Sequence, residues 1–283
     1  MQFIFTRVTY FLMDENSRTV YEWYSEHSAL ASRIFDVFMG RRKHLLVAVV
    51  GRQGVGKTSY VYYALKTALI EWLCIAHGNG DNCLEAVEKA YGPICMSKYC
   101  DEPDGIDIHY GLSIYTGPQG LMNLINEAAE LGKELASGGS VRRRIYFLDD
   151  VLARTAYHLG GVYRKAYFAL REILRVSRAI SSIVIMTAPT TDYLPPDIAK
   201  AGELIVARYG YNTRIYEKLN TEKLPRFIGG REILIKALVR DYIDEVPAKA
   251  IFGLPQWLDR EITRRKGQTL AELAKLVSEG GGS

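Results

Sequence analysis

The sequence predicts an α/β fold: a three-layer sandwich around a mostly parallel sheet, opened by an N-terminal β-hairpin and followed by a small helical C-terminal part. Three observations predict it. Continuous apolar runs at 44–50, 145–148 and 182–187 read as strands covered on both faces. Segments of helical periodicity separate them, as parallel pairing through crossovers requires. The first run ends in a glycine-rich turn that opens a helix, which is where open α/β sheets bind ligands.

The elements follow in order. Phe3, Phe5 and Val8 alternate with Thr6 and Arg7, residues 14–18 supply turn chemistry, and TVYEWY (19–24) returns as a second strand, which makes the hairpin. Residues 27–40 are apolar at 29, 30, 34, 35 and 38 and end at Gly40, a helix pattern. A helix is expected over 57–75, then an excursion over 76–113 rich in Gly, Asp, Asn and Cys, and a short strand near 112–116. Residues 118–137 form a helix with Pro118 in its first turn. Helix 161–180 and strand 182–187 come next, then strand 203–210 and a further strand over 211–220 that suggests a hairpin. Beyond 228 the chain is expected to turn helical and charged. The expected divisions are 1–43 (hairpin and helix), 44–228 (core), 229–279 (helical, lid-like) and the flexible GGGS tail at 280–283.

Composition narrows the class. With 283 residues, 48% hydrophobic and 24% charged, the chain can bury a sizeable core and is neither disordered nor collagen-like. A net charge of +4, from 36 basic and 32 acidic residues, is compatible with nucleic acid without demanding it. No stretch approaches the ~18 to 20 apolar residues of a membrane span. The N-terminus lacks the order of a signal peptide, so a soluble cytoplasmic protein without a membrane span is the expectation.

Cys74, Cys83, Cys95 and Cys100 fall inside one short window with His77 nearby. They read first as buried or free thiols. A zinc site and a disulfide are the alternatives, although the spacings are not those of paired knuckles. A disulfide would suit a hyperthermophile, where intracellular bridges occur.

The densest chemistry lies at Gly51-Arg52-Gln53-Gly54-Val55-Gly56-Lys57-Thr58, which fits G-x-x-x-x-G-K-[ST] between a buried strand and a helix. Glycines let the backbone curl so that successive N–H groups converge on phosphate oxygens, and the helix aims its positive end at the same anion. Gly51, Gln53, Gly54, Val55, Gly56, Lys57, Thr58 and Ser59 are the expected nucleotide contacts. Lys57 reaches the β- and γ-phosphates of ATP, and the Thr58 hydroxyl ligates Mg2+. The strand Ile145-Tyr146-Phe147-Leu148 ends in Asp149 and Asp150. Asp149 is the candidate metal carboxylate and Asp150 the candidate general base, with a helix cap as the structural alternative. Thr187, closing the third apolar strand, is placed to hydrogen-bond the γ-phosphate or its water.

These residues resemble a family. GRQGVGKT with IYFLDDV is similar to the AAA+ (ASCE-type) branch of P-loop ATPases, and the double Asp resembles the Walker B motif of replication initiators, helicase loaders and insertion-sequence ATPases, as well as archaeal viral or plasmid ATPases. The resemblance implies that Thr187 holds the sensor-one position, that Arg208 in VARYG lies in an arginine-finger segment, and that Arg231 in GGREILIKALV is a sensor-two arginine opening a lid helix. A finger reaching a neighbour's nucleotide implies a homo-oligomeric ring or filament. From 208 to 231 is only 23 positions, too few for the usual helical lid. Either the lid is rearranged, or 203–220 is core sheet with Arg208 on a strand and DNA-pumping translocases become the nearer likeness.

The target is less legible. Two basic clusters, Arg142-Arg143-Arg144 and Arg260 with Arg264-Arg265-Lys266, invite DNA, but the first reads as a solvated strand entry. The second precedes a terminal amphipathic helix, apolar at 270, 273, 274 and 277. Two functions stand: an ATPase driving replication initiation, loading or DNA translocation, and an ATP-controlled switch acting on a protein partner.

Overall fold

The computed structural model describes residues 15–51, 56–77, 82–110, 114–139, 145–149, 168–170, 172–173, 175, 182–188, 204–209, 212–217, 221–228, 231–238 and 253–280. Its strands are β1 (Leu45–Gly51), β2 (Ile114–Thr116), β3 (Ile145–Asp149), β4 (Ile183–Ala188), β5 (Leu204–Tyr209), β6 (Asn212–Glu217), β7 (Thr221–Ile228) and β8 (Arg231–Leu238). The helices are α1 (Glu15–His27), α2 (Ala29–Phe38), α3 (Lys57–His77), α4 (Cys83–Tyr91), α5 (Gly105–Tyr110), α6 (Gly117–Ala136) and α7 (Gln256–Gly280).

An α/β fold with a mostly parallel sheet is what forms. Six strands run in the order β2-β3-β4-β1-β5-β6, parallel from β2 through β5, with β6 antiparallel to β5. The three apolar runs sit side by side at the centre because each is buried on both faces. Alternate residues divide between two cores, as the two-residue period of a strand requires. Leu45, Val47 and Val49 join Phe147, Ile183 and Ile185 on one face, under α1, α2 and α3. Leu46 and Ala48 join Tyr146, Leu148, Val184 and Met186 on the other, under α6 and Leu170.

Helix α3 follows the glycine turn and is buried nearly all round, from Tyr60 through Leu73. That is the mark of a helix packed on several sides. It touches α1, α2 and α4 as well as the sheet. Leu124 and Leu131 of α6 pack on the second face.

Three local expectations change. Residues 19–24 are not a strand but part of α1, and 1–14 lie outside the described residues. Ser17, Val20, Tyr21 and Tyr24 recur at helical spacing and are all buried. The aromatic and β-branched residues that suggested a strand are supplying a helix stripe for the core. Arg231 opens a strand, not a lid helix: β7 and β8 pair antiparallel from Thr221 with Leu238 to Ile228 with Arg231. The intervening sequence Gly229-Gly230 is a hairpin dipeptide, and cross-strand pairing is a non-local gain that periodicity does not register. The helical part therefore begins not at 229 but, among the described residues, with α7 at Gln256.

The cysteines are paired, Cys74 with Cys83 and Cys95 with Cys100, so the reading as free thiols and the zinc alternative both give way. The first bridge ties the last turns of α3 to the start of α4. Among the described residues no helix is long and apolar enough to cross a membrane.

Candidate functional site

The carboxyl ends of β1, β3 and β4 converge beside the start of α3, and β1 is where the sheet order reverses. The chain leaves it toward β2 on one side, returns through β3 and β4, and crosses to β5 on the other. Such a switch point opens a crevice at the strand ends. Gly51 ends β1, and Gly56 has φ 84, a left-handed value that a side chain would strain. The Tyr60 amide donates to the Gly56 carbonyl at 3.0 Å, starting α3 immediately after the turn. Arg52, Gln53, Gly54 and Val55 lie outside the described residues, as does Asp150.

Lys57, Thr58 and Ser59 form the first turn of α3. Lys57 and Ser59 are buried and Thr58 is half-buried. Across the crevice, Asp149 closes β3 with its side chain 1% exposed. The Thr58 hydroxyl donates to Asp149 Oδ1 at 2.7 Å, joining residues far apart in the chain. The Thr187 hydroxyl donates to the same oxygen at 2.8 Å. Thr187 is fully buried, and β4 lies between β1 and β3, so its side chain is held against the neighbouring strand. Thr58, Asp149 and Thr187, three residues singled out from sequence, are thus one cluster. Thr187 orients Asp149 through this hydrogen bond.

The other carboxylate oxygen differs. Asp149 Oδ2 is buried and, among the described residues, accepts no hydrogen bond, and Lys266 Nζ of α7 stands 3.5 Å from it. A buried anionic oxygen with a hydroxyl beside it is a hard-oxygen donor set that fits Mg2+. This ion takes one or two protein oxygens and completes its shell with phosphates and water. Among the described residues no group of three or more His, Cys, Asp or Glu is arranged to hold a metal, so a caged all-protein site is not what these residues form.

Arg208 lies on β5 in register with Gly51, which settles the earlier alternative: residues 204–209 and 212–217 belong to the core sheet. Arg231 begins β8, paired with Ile228. The second basic cluster is engaged within the chain. Arg260 donates to the Asp101 carbonyl at 2.5 Å, Arg264 and Arg265 pair with Glu261, and Arg265 also donates to the Ile114 carbonyl of β2. Arg142, Arg143 and Arg144 lie outside the described residues. Sequence reasoning missed Lys266 as a neighbour of Asp149, since nothing local relates a terminal helix to a strand end 117 positions earlier.

A second polar cluster sits further along α3. Lys66, fully buried, pairs with Asp104 at 2.6 Å and Asp107 at 2.8 Å and donates to the Cys95 carbonyl at 2.8 Å. The Tyr62 hydroxyl donates to Asp107 at 3.0 Å. Asp104 accepts from the Ile106 and Asp107 amides, capping α5. Burial pushes the Asp107 carboxyl upward while Lys66 opposes it.

The chain matches no protein-family model, no curated protein and no solved structure, so its geometry is what bears on function.

Proposed function

We propose that the protein binds and hydrolyses ATP with Mg2+ at the turn between β1 and α3, within a three-layer P-loop ATPase core. The observation that carries this is the hydrogen bond from Thr58 to Asp149: it joins the hydroxyl and the carboxylate that such chemistry needs on one ion. The main-chain amides of 51–58 would cradle the phosphates, with Lys57 on the β- and γ-oxygens. Thr58 and Asp149 would hold the metal, which supplies charge neutralisation on the phosphate oxygens. Thr187 keeps the Asp149 carboxylate in one rotamer. Asp150, the next residue along the chain, would take a proton from the attacking water. Arg208 would stabilise charge on the phosphoryl group, in an assembled ring or filament if it serves a neighbour's site.

The DNA-directed reading, in replication initiation, loading or translocation, rests on the family resemblance. An ATP-controlled switch acting on a protein partner has one specific observation in its favour: α7 places a lysine against the candidate metal carboxylate. A cytoplasmic location together with two disulfides would suit a hyperthermophilic source.

The test is direct. Lys57→Ala should weaken ATP binding by about 100-fold or more in calorimetry. Asp150→Asn should keep binding and lose hydrolysis. Wild-type ATP affinity in the first variant would end the nucleotide reading.

A further inference from the structure

Lys266 has a role that nucleotide binding alone does not assign. Asp149 is buried, and a carboxylate so placed is costly unless its charge is compensated. Hydroxyls serve Oδ1, but among the described residues Oδ2 accepts no hydrogen bond, and it faces the Lys266 ammonium at 3.5 Å. The lysine does not reach there as a loose side chain. Leu258 and Ile262 seat α7 in the core, and the Trp257 amide donates to the Cys100 carbonyl at 3.2 Å. The adjacent Arg265 grips Ile114 on β2, the edge strand whose Thr116 lies in register with Asp149. The helix is thereby laid along the sheet edge with Lys266 directed at the strand end. Its side chain is 45% exposed, so the four-carbon stem can turn to water without unpacking α7.

We propose that Lys266 is the counter-ion of Asp149 when no nucleotide is bound and competes with Mg2+ for that carboxylate, so that α7 sets the metal requirement of the site. The inference rests on the nucleotide reading above. An ammonium and a divalent cation cannot share one carboxylate oxygen without strong mutual repulsion, so Lys266 must yield as the metal arrives. Contacts made by α7 are in this way coupled to the state of the site, and the coupling is reciprocal.

The experiment titrates ADP binding with Mg2+ by calorimetry in wild type, Lys266→Gln and Lys266→Arg, with melting in chelator and in Mg–ADP. Lys266→Gln should reach half-saturation at about tenfold less Mg2+. It should melt about 3 °C below wild type in chelator and level with it in Mg–ADP. Lys266→Arg, which keeps the charge, should follow wild type. A melting deficit that persists in Mg–ADP would mean that Lys266 merely anchors α7, which overturns the proposal. So would a wild-type metal dependence in Lys266→Gln, or an Lys266→Arg variant that behaves like Lys266→Gln. If wild type binds no ADP with or without Mg2+, the nucleotide reading fails and this one with it.

Discussion

Helix α3 meets buried carboxylates at its first turn and again near its middle, and they are treated in opposite ways. Two turns into the helix, Lys66 meets Asp104 and Asp107 in a cluster whose polar atoms are saturated: a tyrosine hydroxyl, main-chain amides and a carbonyl complete it. At the first turn, one Asp149 oxygen accepts hydrogen bonds from two hydroxyls and the other, among the described residues, accepts none. A saturated buried ion cluster holds elements in place; an unsaturated one keeps capacity for a ligand. The Lys66 cluster and the Cys74–Cys83 bridge fasten the segment 82–110 onto α3. The Asp149 cluster leaves a buried carboxylate oxygen beside the start of α3 that, among the described residues, accepts no hydrogen bond.

Glu71, on the same helix, is a third case. It accepts from Ser25 Oγ, and among the described residues no lysine or arginine pairs with it. Burial pushes its carboxyl up to about 7, so a proton does there what Lys66 does for Asp107.

The contrast is broken most severely at Lys66. Lys66→Met strands two carboxylates in the core and should cost about 3–5 kcal/mol, read as a large fall in denaturation midpoint. Near-wild-type stability would mean that the cluster is dispensable. Glu71→Gln comes next. The unfolded chain releases this proton near pH 4.5 and the folded protein near 7, so the folded form binds more protons between those values. Wild-type stability should therefore fall as pH rises through that window and level off above it. Glu71→Gln should remove the slope and gain about 2 kcal/mol at pH 8, less than the full shift implies because water partly reaches the site. A pH-independent difference would reject the protonated Glu71. The smallest stability effect is expected at Asp149: Asp149→Asn keeps an acceptor for both threonines and removes a buried charge, so stability should change by about 1 kcal/mol or less. Magnesium dependence of nucleotide binding should vanish in the same variant. A loss as large as that at Lys66 would make Asp149 a structural residue.

Much of the site was legible because its signals are local. A glycine turn between a buried strand and a helix is a run of consecutive residues, and Asp149 and Thr187 each close an apolar run that reads as a central strand. Where pattern and packing diverged, the cause was an ambiguity of residue type. Val20, Tyr21 and Tyr24 suit a strand or a helix, and burial against α3 selects the helix. Ile233 and Ile235 fit helical periodicity loosely, and pairing with Arg226 and Leu224 selects the strand. Spacing alone left the cysteines open, because a bridge depends on the approach of two Cα atoms, 4.8 Å for Cys74 and Cys83 and 6.1 Å for Cys95 and Cys100.

By itself, then, the chain's order of residues determined a mostly parallel sheet with a glycine-rich sequence after its first buried strand and an acid closing another, since backbone freedom at glycine and two-sided burial are properties of short segments. Only the tertiary structure decided that Thr58, Thr187 and Lys266 meet on the same carboxylate. Strand order and the docking of a terminal helix depend on which surfaces bury each other, and those contacts join residues that no local pattern relates.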